Sequence, residues 1–389
     1  MQTLVFGNTG TVERSVIVKI DKRIPGGFVF IKEWGRCELK FYCGDNSKSK
    51  IRGTEMIKLA IDLGSLMTKI YRADTNNGVV LAEPSCVAVV GDAQEIKAIG
   101  KDAKNLIGKT AEFTNILYPI YEGEIVDMRL AAAMLKEFLS RIGVKAGLLK
   151  RAQVLLSVPC GISETSLNLY RVLVEECGLR KVWFVEQPYL AALGAGAIMG
   201  DPVFCLDIGG GVANAAVVSS DGIIAGLSIN IGGNNMDANI ITKVSNKNKL
   251  LIGTLTAERI KNEIGTLSPV ARGSIVAEGS STETYQPAST SVQATDIMEC
   301  IRVYVKKVVE YSTSVLWNLP AEVAATVNRN GVFLSGGVMK IPYVPQYIGA
   351  QLGMRYRVYE EPQFATVLGG GVLLRDKELL TRFAKKYTD

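Results

Sequence analysis

One pattern in this 389-residue chain occurs twice. Residues 58–72 read KLAIDLGSLMTKIYR and residues 203–218 read VFCLDIGGGVANAAVV. In each, an apolar run leads into Asp-Leu/Ile-Gly, a small or Gly-rich turn follows, and a second β-rich run returns. Glycine is required where the backbone takes φ > 0 or comes close to a ligand. Successive N–H groups of such a turn form a concavity suited to phosphate. Asp62 and Asp207 each place a carboxylate at a strand end, where it can hold Mg²⁺ through water. Either hairpin alone is equally well an ordinary β-hairpin with Asp and Gly in its turn. The two together, followed by a third Gly-rich loop at 333–337 (FLSGG), predict duplicated domains clamping one nucleotide between them.

The bulk numbers narrow the class. A chain 48% hydrophobic and 21% charged is globular with a sizeable core, long enough for two or three domains. Net charge is +6, but residues 1–55 carry ten Lys/Arg against six Asp/Glu, and the rest carries 34 against 32. The nearly neutral body shows no nucleic-acid footprint. There is no signal-peptide pattern and no run of ~18 apolar residues that would span a bilayer. Seven scattered cysteines without a C-x-x-C pair read as reduced core residues of a cytoplasmic protein. The absence of histidine argues against a zinc site and removes a Ser-His-Asp triad.

Residues 1–55 alternate apolar and polar residues and end in the polar tract GDNSKSKIRGTE. Two readings stay open: a small β-appendage with a linker, or an upstream extension with the true start at Met56, since codons for Arg52-Gly53 can spell a purine-rich ribosome-binding sequence. Beyond Met56, strands and helices alternate. Strands are expected at 58–62, 67–72, 79–82, 86–90, 152–158, 182–185, 331–334 and 355–358, with helices at 129–142, 163–176, 236–247, 256–264 and 295–318. Ser163 and Pro188 suit helix starts. Residues 266–295 are expected to be exposed strands and loops, and the last helix to be entered through Gly369-Gly370-Gly371. The expected domains are 56–200, with a small insertion near 85–130, and 201–389, with one near 235–310.

The ordered set DLGS, VEQP, DIGGG, TAERIKNEIG and LSGG resembles the actin/Hsp70/sugar-kinase ATPase superfamily. More narrowly it resembles the MreB-type bacterial actins, rod-shape-determining proteins, from about Ile57 to about Leu374. LAEPSCVAV (81–89), IGKDAKNLIGKT (99–110), EGEIVD (122–127), SVPCGISE (157–164) and EEPQFATVLGGG (360–371) extend the match. The resemblance implies an α/β actin-like ATPase fold, with two duplicated RNase H-like domains around a nucleotide cleft. It further implies ATP (or GTP) with Mg²⁺, a homopolymeric filament, a cytoplasmic location against the inner membrane, and membrane proteins of the cell-elongation machinery as partners.

By the same resemblance, Asp62, Gly64 and Ser65 match the first phosphate loop, and Lys69 falls where eukaryotic actins carry a phosphate-contacting lysine. Asp207, Gly209, Gly210 and Gly211 match the second loop, with both aspartates serving the metal. Glu258 and Lys261 match residues around the ribose and adenine, although the same spacing also suits a solvated i,i+3 charge couple. Gly336 and Gly337 match the adenine-side loop, and Asp237 an Asp beside the cleft. The family's IEEP reads Val185-Glu186-Gln187-Pro188 here, so Gln187 takes the place of the residue that positions the attacking water. Glutamine cannot accept a proton as a base but can orient water. DIGGGTT has become DIGGGVA, removing both hydroxyls at Val212 and Ala213. GDEMD has become GNNMD, and TGGG has become SGGV, which places Val338 near the adenine. These departures suggest a divergent member that hydrolyses ATP slowly or not at all.

At the position of the family's membrane loop stand Lys145-Ala146-Gly147-Leu148-Leu149-Lys150-Arg151, where Leu148 and Leu149 could enter lipid beneath flanking cations. A plain helix-to-strand connector explains the same residues. A filament-forming cytoskeletal actin is the leading reading, and a non-polymerising or partner-dependent regulatory pseudo-ATPase is the alternative. A chaperone would need a peptide-binding domain after the last glycine loop, and a small-molecule kinase a spare catalytic Asp, and neither is evident.

Overall fold

The computed structural model describes residues 17–20, 29–33, 36–39, 56–74, 78–109, 114–144, 146–197 and 200–387. The chain divides into two units, 1–54 and 55–389. In the first, Ile17–Ile20, Val29–Glu33 and Arg36–Leu39 pair antiparallel in succession, as the alternation in this segment suggests. Much of that segment, Lys145 and the remaining linker residues lie outside the described residues.

The second unit holds two five-stranded sheets built to one plan. The first contains β1 (Lys58–Leu63), β2 (Met67–Arg72), β3 (Gly78–Pro84), β4 (Gln153–Val158) and β5 (Lys181–Glu186), in the order β5-β4-β1-β2-β3. The second contains β6 (Val203–Ile208), β7 (Ala213–Ser219), β8 (Gly222–Ile229), β9 (Val332–Ser335) and β10 (Tyr356–Val358), in the order β10-β9-β6-β7-β8. In both, the first three strands form an antiparallel meander, and the fourth and fifth add in parallel on the other side of the first. The central strands β1 and β6 are covered on both faces, which is why they read as near-continuous apolar runs. This is the α/β duplicated architecture expected from the repeated hairpin.

Helices fill the space between strands. In the first half, α1 (Met128–Arg141) is capped by the Asp127 carboxylate, which accepts from Leu130 N at 2.8 Å. The next helix, α2 (Glu164–Glu176), is capped by Ser163, as its sequence predicts. Their apolar faces, including Phe138 and Tyr170, close the core of the first sheet. α3 (Gln187–Gly194) follows β5, with Pro188 in its first turn. In the second half, α4 (Gly233–Asn248) and α5 (Thr254–Ile264) flank a small sheet of Leu250–Leu251, Ser274–Ser281 and Pro287–Gln293. The long α6 (Ala294–Trp317) packs Ile301, Val305 and Val308 beneath the second sheet. A matching small sheet in the first half consists of Val87–Val90, Glu95–Ile99 and Thr114–Leu117.

The two halves join through α3 and α7 (Ala365–Arg375), the helices that follow the last strand of each sheet. A methyl placed on Gly194 would lie 1.8 Å from the carbonyl oxygen of Ala365, and one on Gly369 would lie 1.8 Å from that of Leu190. The contacts are reciprocal and backbone to backbone, so no side chain can yield to relieve them. Gly369-Gly370-Gly371 therefore lie inside α7 and not at its entrance as the sequence suggested. Glycine costs about 1 kcal/mol in a helix interior, and close helix approach outweighs that here. Around the crossing, Tyr189, Leu190, Val367 and Leu373 form a core shared by both halves. Gly369→Ala should lower stability to urea by about 3 kcal/mol or more, at the upper end of overpacking effects. Gly337→Ala, where a methyl meets nothing within 4 Å, should shift it by less than about 1 kcal/mol. Equal unfolding midpoints would show that the helices do not need this approach.

Candidate functional site

The repeated hairpins face each other across a cleft between the halves. In the first turn Gly64 N donates to Met67 O at 3.2 Å, and in the second Gly209 N donates to Val212 O at 2.8 Å. Those bonds close each turn and leave the N–H groups of Ser65 and Leu66, and of Gly210 and Gly211, without a hydrogen-bond partner among the described residues. The turns touch tip to tip, because a methyl on Gly210 would lie 2.6 Å from Leu66 Cβ. The second turn is fixed from behind by the start of α4, where Gly233 N and Asn234 N donate to the carbonyls of Gly209 and Gly210 at 3.0 and 2.8 Å. The third loop crosses the cleft wall at Gly336, where φ is +90° and a methyl would lie 2.2 Å from Ile208 O, so only glycine fits. Two turns with pairs of unpartnered N–H groups are the cradle an oligophosphate requires.

Each turn carries a buried carboxylate held in the same way. Ser157 Oγ, from β4, donates to Asp62 Oδ1 at 2.8 Å, and Ser335 Oγ, from β9, donates to Asp207 Oδ1 at 2.8 Å. These serines occupy equivalent positions on the fourth strand of each sheet. Lys69, paired with Asp62 across β1 and β2, places its ammonium 2.8 Å from Asp62 Oδ2. Asp207 makes no ion pair among the described residues. Burial pushes its carboxyl up to about 6, and the hydrogen bond from Ser335 only partly offsets this. Two carboxylates beside a phosphate cradle fit Mg²⁺, which takes one or two carboxylates along with substrate phosphates. Asp62 and Asp207 would hold the ion, which would neutralise phosphate charge. No cluster of three or more acidic, Cys or His residues suited to a metal occurs among the described residues.

The cleft floor is a hydrogen-bonded relay. Gln187, at the start of α3, donates through Nε2 to Asp62 Oδ1 at 3.5 Å and accepts through Oε1 from Asn214 Nδ2 at 2.8 Å. Glu186 turns away, accepting from Gly161 N at 2.7 Å. Of the residues expected at the site, Asp62, Gly64, Ser65 and Lys69 line the cleft from one side. Asp207, Gly209, Gly210 and Gly211 line it from the other, with Gln187, Gly336 and Gly337 completing it. Glu186, Asp237, Glu258 and Lys261 are not part of this lining. Lys261 is buried, with Nζ 2.7 Å from Asp237 Oδ2 and 3.1 Å from Gly233 O. Glu258 pairs instead with Lys104 of the first half at 2.7 Å. The expected i,i+3 couple is thus split between two tertiary partners.

A family model described as MreB/Mbl protein matches residues 56–382. The chain belongs to the MreB/Mbl family. It is 30% identical to the cell shape-determining protein Mbl of Bacillus subtilis over 327 residues, covering 83% of this chain and 97% of that protein. It is 31% identical to the cell shape-determining protein MreB of Escherichia coli K12 over 338 residues, covering 84% and 95%. Among solved structures, MreB5 of Spiroplasma citri bound to AMPPNP superposes with a TM-score of 0.79 at 26% identity, covering 86% of this chain and 99% of that one. These matches establish the actin-like fold that the motif order implied.

The departures that the resemblance implied fall both inside and outside the cleft. Val212 lines it where a hydroxyl was expected, and Ala213 is fully buried. Val338, expected near the adenine, is buried in the second core at the short 3-10 turn Gly337–Lys340 and is not part of the cleft lining. Asn235, which replaces an acidic residue, has a structural task, since its Oδ1 accepts from Gly232 N at 2.7 Å at the start of α4. A second correction concerns the candidate lipid loop. Leu149 is 8% exposed and packs in the first core, whereas Leu148 is 45% exposed, because successive residues of the short helix Ala146–Leu149 point to different sides. No described helix is long and apolar enough to cross a membrane.

Sequence reasoning missed Ser157, Asn214, Gln363 and Thr366. The last two line the cleft from the turn that enters α7 and from its first turn, and Gln363 Oε1 has no hydrogen-bond partner among the described residues. The likeness of EQPYLAALG (186–194) to EPQFATVLG (361–369) was the signal that α7 repeats α3 and brings its own first turn to the site.

The state of Asp207 has a measurable consequence without any ligand. In the folded chain it stays protonated to about pH 6, whereas unfolded it ionises near 3.8. Its raised pKa gives stability that is complete below about pH 4 and lost as pH rises to about 6. Urea unfolding should therefore show wild type losing more stability than Asp207→Asn over that window. Parallel curves would exclude burial as the cause.

Proposed function

We propose that this chain is an ATP-binding bacterial actin that polymerises into filaments on the inner face of the cytoplasmic membrane, takes part in setting cell shape, and turns ATP over slowly. The observation that carries the reading is the pair of turns whose unpartnered N–H groups face one cleft between duplicated halves. It is supported by family membership and by the AMPPNP bound to the Spiroplasma neighbour. Mg²⁺ accompanies the nucleotide beside Asp62 and Asp207. Nucleotide state shifts the angle between the halves, and with it the head-to-tail contact of successive subunits. Such a contact, when it does not close on itself, gives an open filament. The partners are further copies of the chain, the anionic membrane surface and membrane proteins of the elongation machinery.

Slow turnover follows from the cleft chemistry. Gln187 orients water but cannot take its proton, and no hydroxyl stands at Val212 or Ala213. Gln187→Glu should raise phosphate release by on the order of tenfold or more, since general bases contribute at least that much. Wild-type turnover already as fast as that of the glutamate variant would remove the case for impairment. Filaments pelleted with ATP or AMPPNP on anionic vesicles test the assembly. Their absence alongside confirmed nucleotide binding would favour the partner-dependent regulatory alternative.

Of Leu148 and Leu149, Leu148 is the one available for lipid, so binding is weak per subunit and becomes effective through many subunits of a filament. Leu148→Ser should reduce vesicle co-sedimentation several-fold and leave the urea midpoint unchanged. Leu149→Ser should instead destabilise the fold by about 2 kcal/mol or more. Undiminished co-sedimentation of the Leu148 variant would rule out this loop as the anchor.

A further inference from the structure

We propose that Asn214 is a positioning residue that holds the Gln187 carbonyl in a resting orientation and thereby restrains ATP hydrolysis. The inference rests on reading the cleft as an ATP site with Gln187 as the water-orienting group.

The direction of every hydrogen bond in the relay is set by its ends. At one end the backbone N–H of Cys160, which can only donate, lies 3.0 Å from Asn214 Oδ1. Ser228 Oγ donates to the same oxygen at 3.0 Å. The other arm of Asn214 is therefore its NH₂ group, and what it meets 2.8 Å away is the Gln187 oxygen. The Gln187 NH₂ group then faces Asp62, whose Oδ1 also accepts from Ser157. A carboxylate at that end can only accept, so the relay runs one way from Cys160 to Asp62.

The consequence falls on the atom hydrolysis needs. As water attacks, its oxygen bonds the γ-phosphorus, the β–γ bridging oxygen leaves with ADP, and the water's proton ends on the phosphate product. Glutamine helps by accepting a hydrogen bond from that water through its carbonyl. Here that carbonyl is engaged by Asn214, a side chain only 1% exposed on β7 of the opposite half. Asn214 is itself pinned by two donors, so it cannot turn its amide to release the oxygen. Gln187 sits on α3 and Asn214 on the other half, so a change in the angle between halves is what would part them.

The test is steady-state phosphate release by the full chain, with AMPPNP affinity measured separately. Asn214→Ala should raise kcat about three- to tenfold, the factor equivalent to one neutral hydrogen bond, with AMPPNP affinity unchanged. The gain should vanish in a Gln187→Ala background, which a purely structural role for Asn214 would not produce. An unchanged or lower kcat, or a gain that persists without Gln187, would overturn the proposal. Loss of Asn214 orphans two donors and so threatens the fold of the variant, and wild type supplies the second measurement. A crystal structure with AMPPNP should retain the Asn214–Gln187 bond, and a Gln187 oxygen found facing the γ-phosphate would overturn the proposal. Wild type that binds no AMPPNP would instead overturn the ATP-site reading itself, and this inference with it.

Discussion

The structure depends on two helices that touch through their backbones. The Gly194–Ala365 and Gly369–Leu190 contacts bring α3 and α7 closer than any side chain allows, and the two sheets are hung on either side of that crossing. Because the approach is reciprocal, it acts as a local two-fold axis for the duplicated halves. It also fixes what enters the cleft. The first turn of α3 carries Gln187, the first turn of α7 carries Thr366 and the short 3-10 turn Pro362–Phe364 that leads into α7 carries Gln363, all lining the same space. Because the crossing joins the two halves, any change in the angle between them must be taken up here. The base that holds the halves together is thus also where their angle can change, and the side chains carried on it report that change to the cleft.

Duplication supplies the shared chemistry, and the breaks in it supply the specific chemistry. Each half contributes a strand-end aspartate, a serine from its fourth strand holding that aspartate, and a turn with two unpartnered N–H groups. The halves differ at the second strand of the hairpin. Opposite Asp62 stands Lys69, and opposite Asp207 stands Asn214. The first half is therefore compensated in charge, with an ion pair already made. The second half holds an uncompensated carboxyl that burial keeps protonated to about pH 6. A divalent cation entering with phosphates would find Asp207 without an ion-pair partner among the described residues, whereas Asp62 is already paired with Lys69. Asn214 offers Asp207 a neutral hydrogen bond in place of an ammonium, and it also links the second half to Gln187 of the first.

What could be read beforehand was whatever the backbone alone enforces. A strand ending in Asp-x-Gly and returning after a small turn has few conformations open to it, so both phosphate turns were legible, as were the strands and helices that surround them. Contacts between distant elements were not. Ser157 reaches Asp62 only because β4 pairs with β1, and Asn214 looks like an ordinary strand residue until Cys160 and Gln187 are brought to it. Glu258 and Lys261 have the spacing of a helical pair, yet Lys104 and Asp237 take them because a tertiary partner at 2.7 Å outweighs an exposed neighbour on the same helix. Leu148 and Leu149 differ in burial because a four-residue helix has no periodicity from which its inward side could be judged. The glycines of α7 misled for a related reason. A run that loosens a helix in isolation is, against a partner backbone, what permits the contact.

The outer end of the cleft is closed on different terms. There the Lys104–Glu258 pair joins the small subdomain of each half, with both side chains 24% exposed. A pair so placed is worth about 1 kcal/mol and is weakened by salt, far less than the packed core around the helix crossing. Both side chains are already partly solvated, so breaking the pair costs little compared with disturbing the base. Lys261 is committed more deeply, since its partner Asp237 is buried and desolvation pushes that carboxyl up even beside an ammonium. A ligand at the mouth therefore displaces Lys104 from Glu258 more easily than it withdraws Lys261 from Asp237. Of the two residues expected around the ribose and adenine, Glu258 is the one free to change partners as the cleft opens, and Lys261 belongs to the wall.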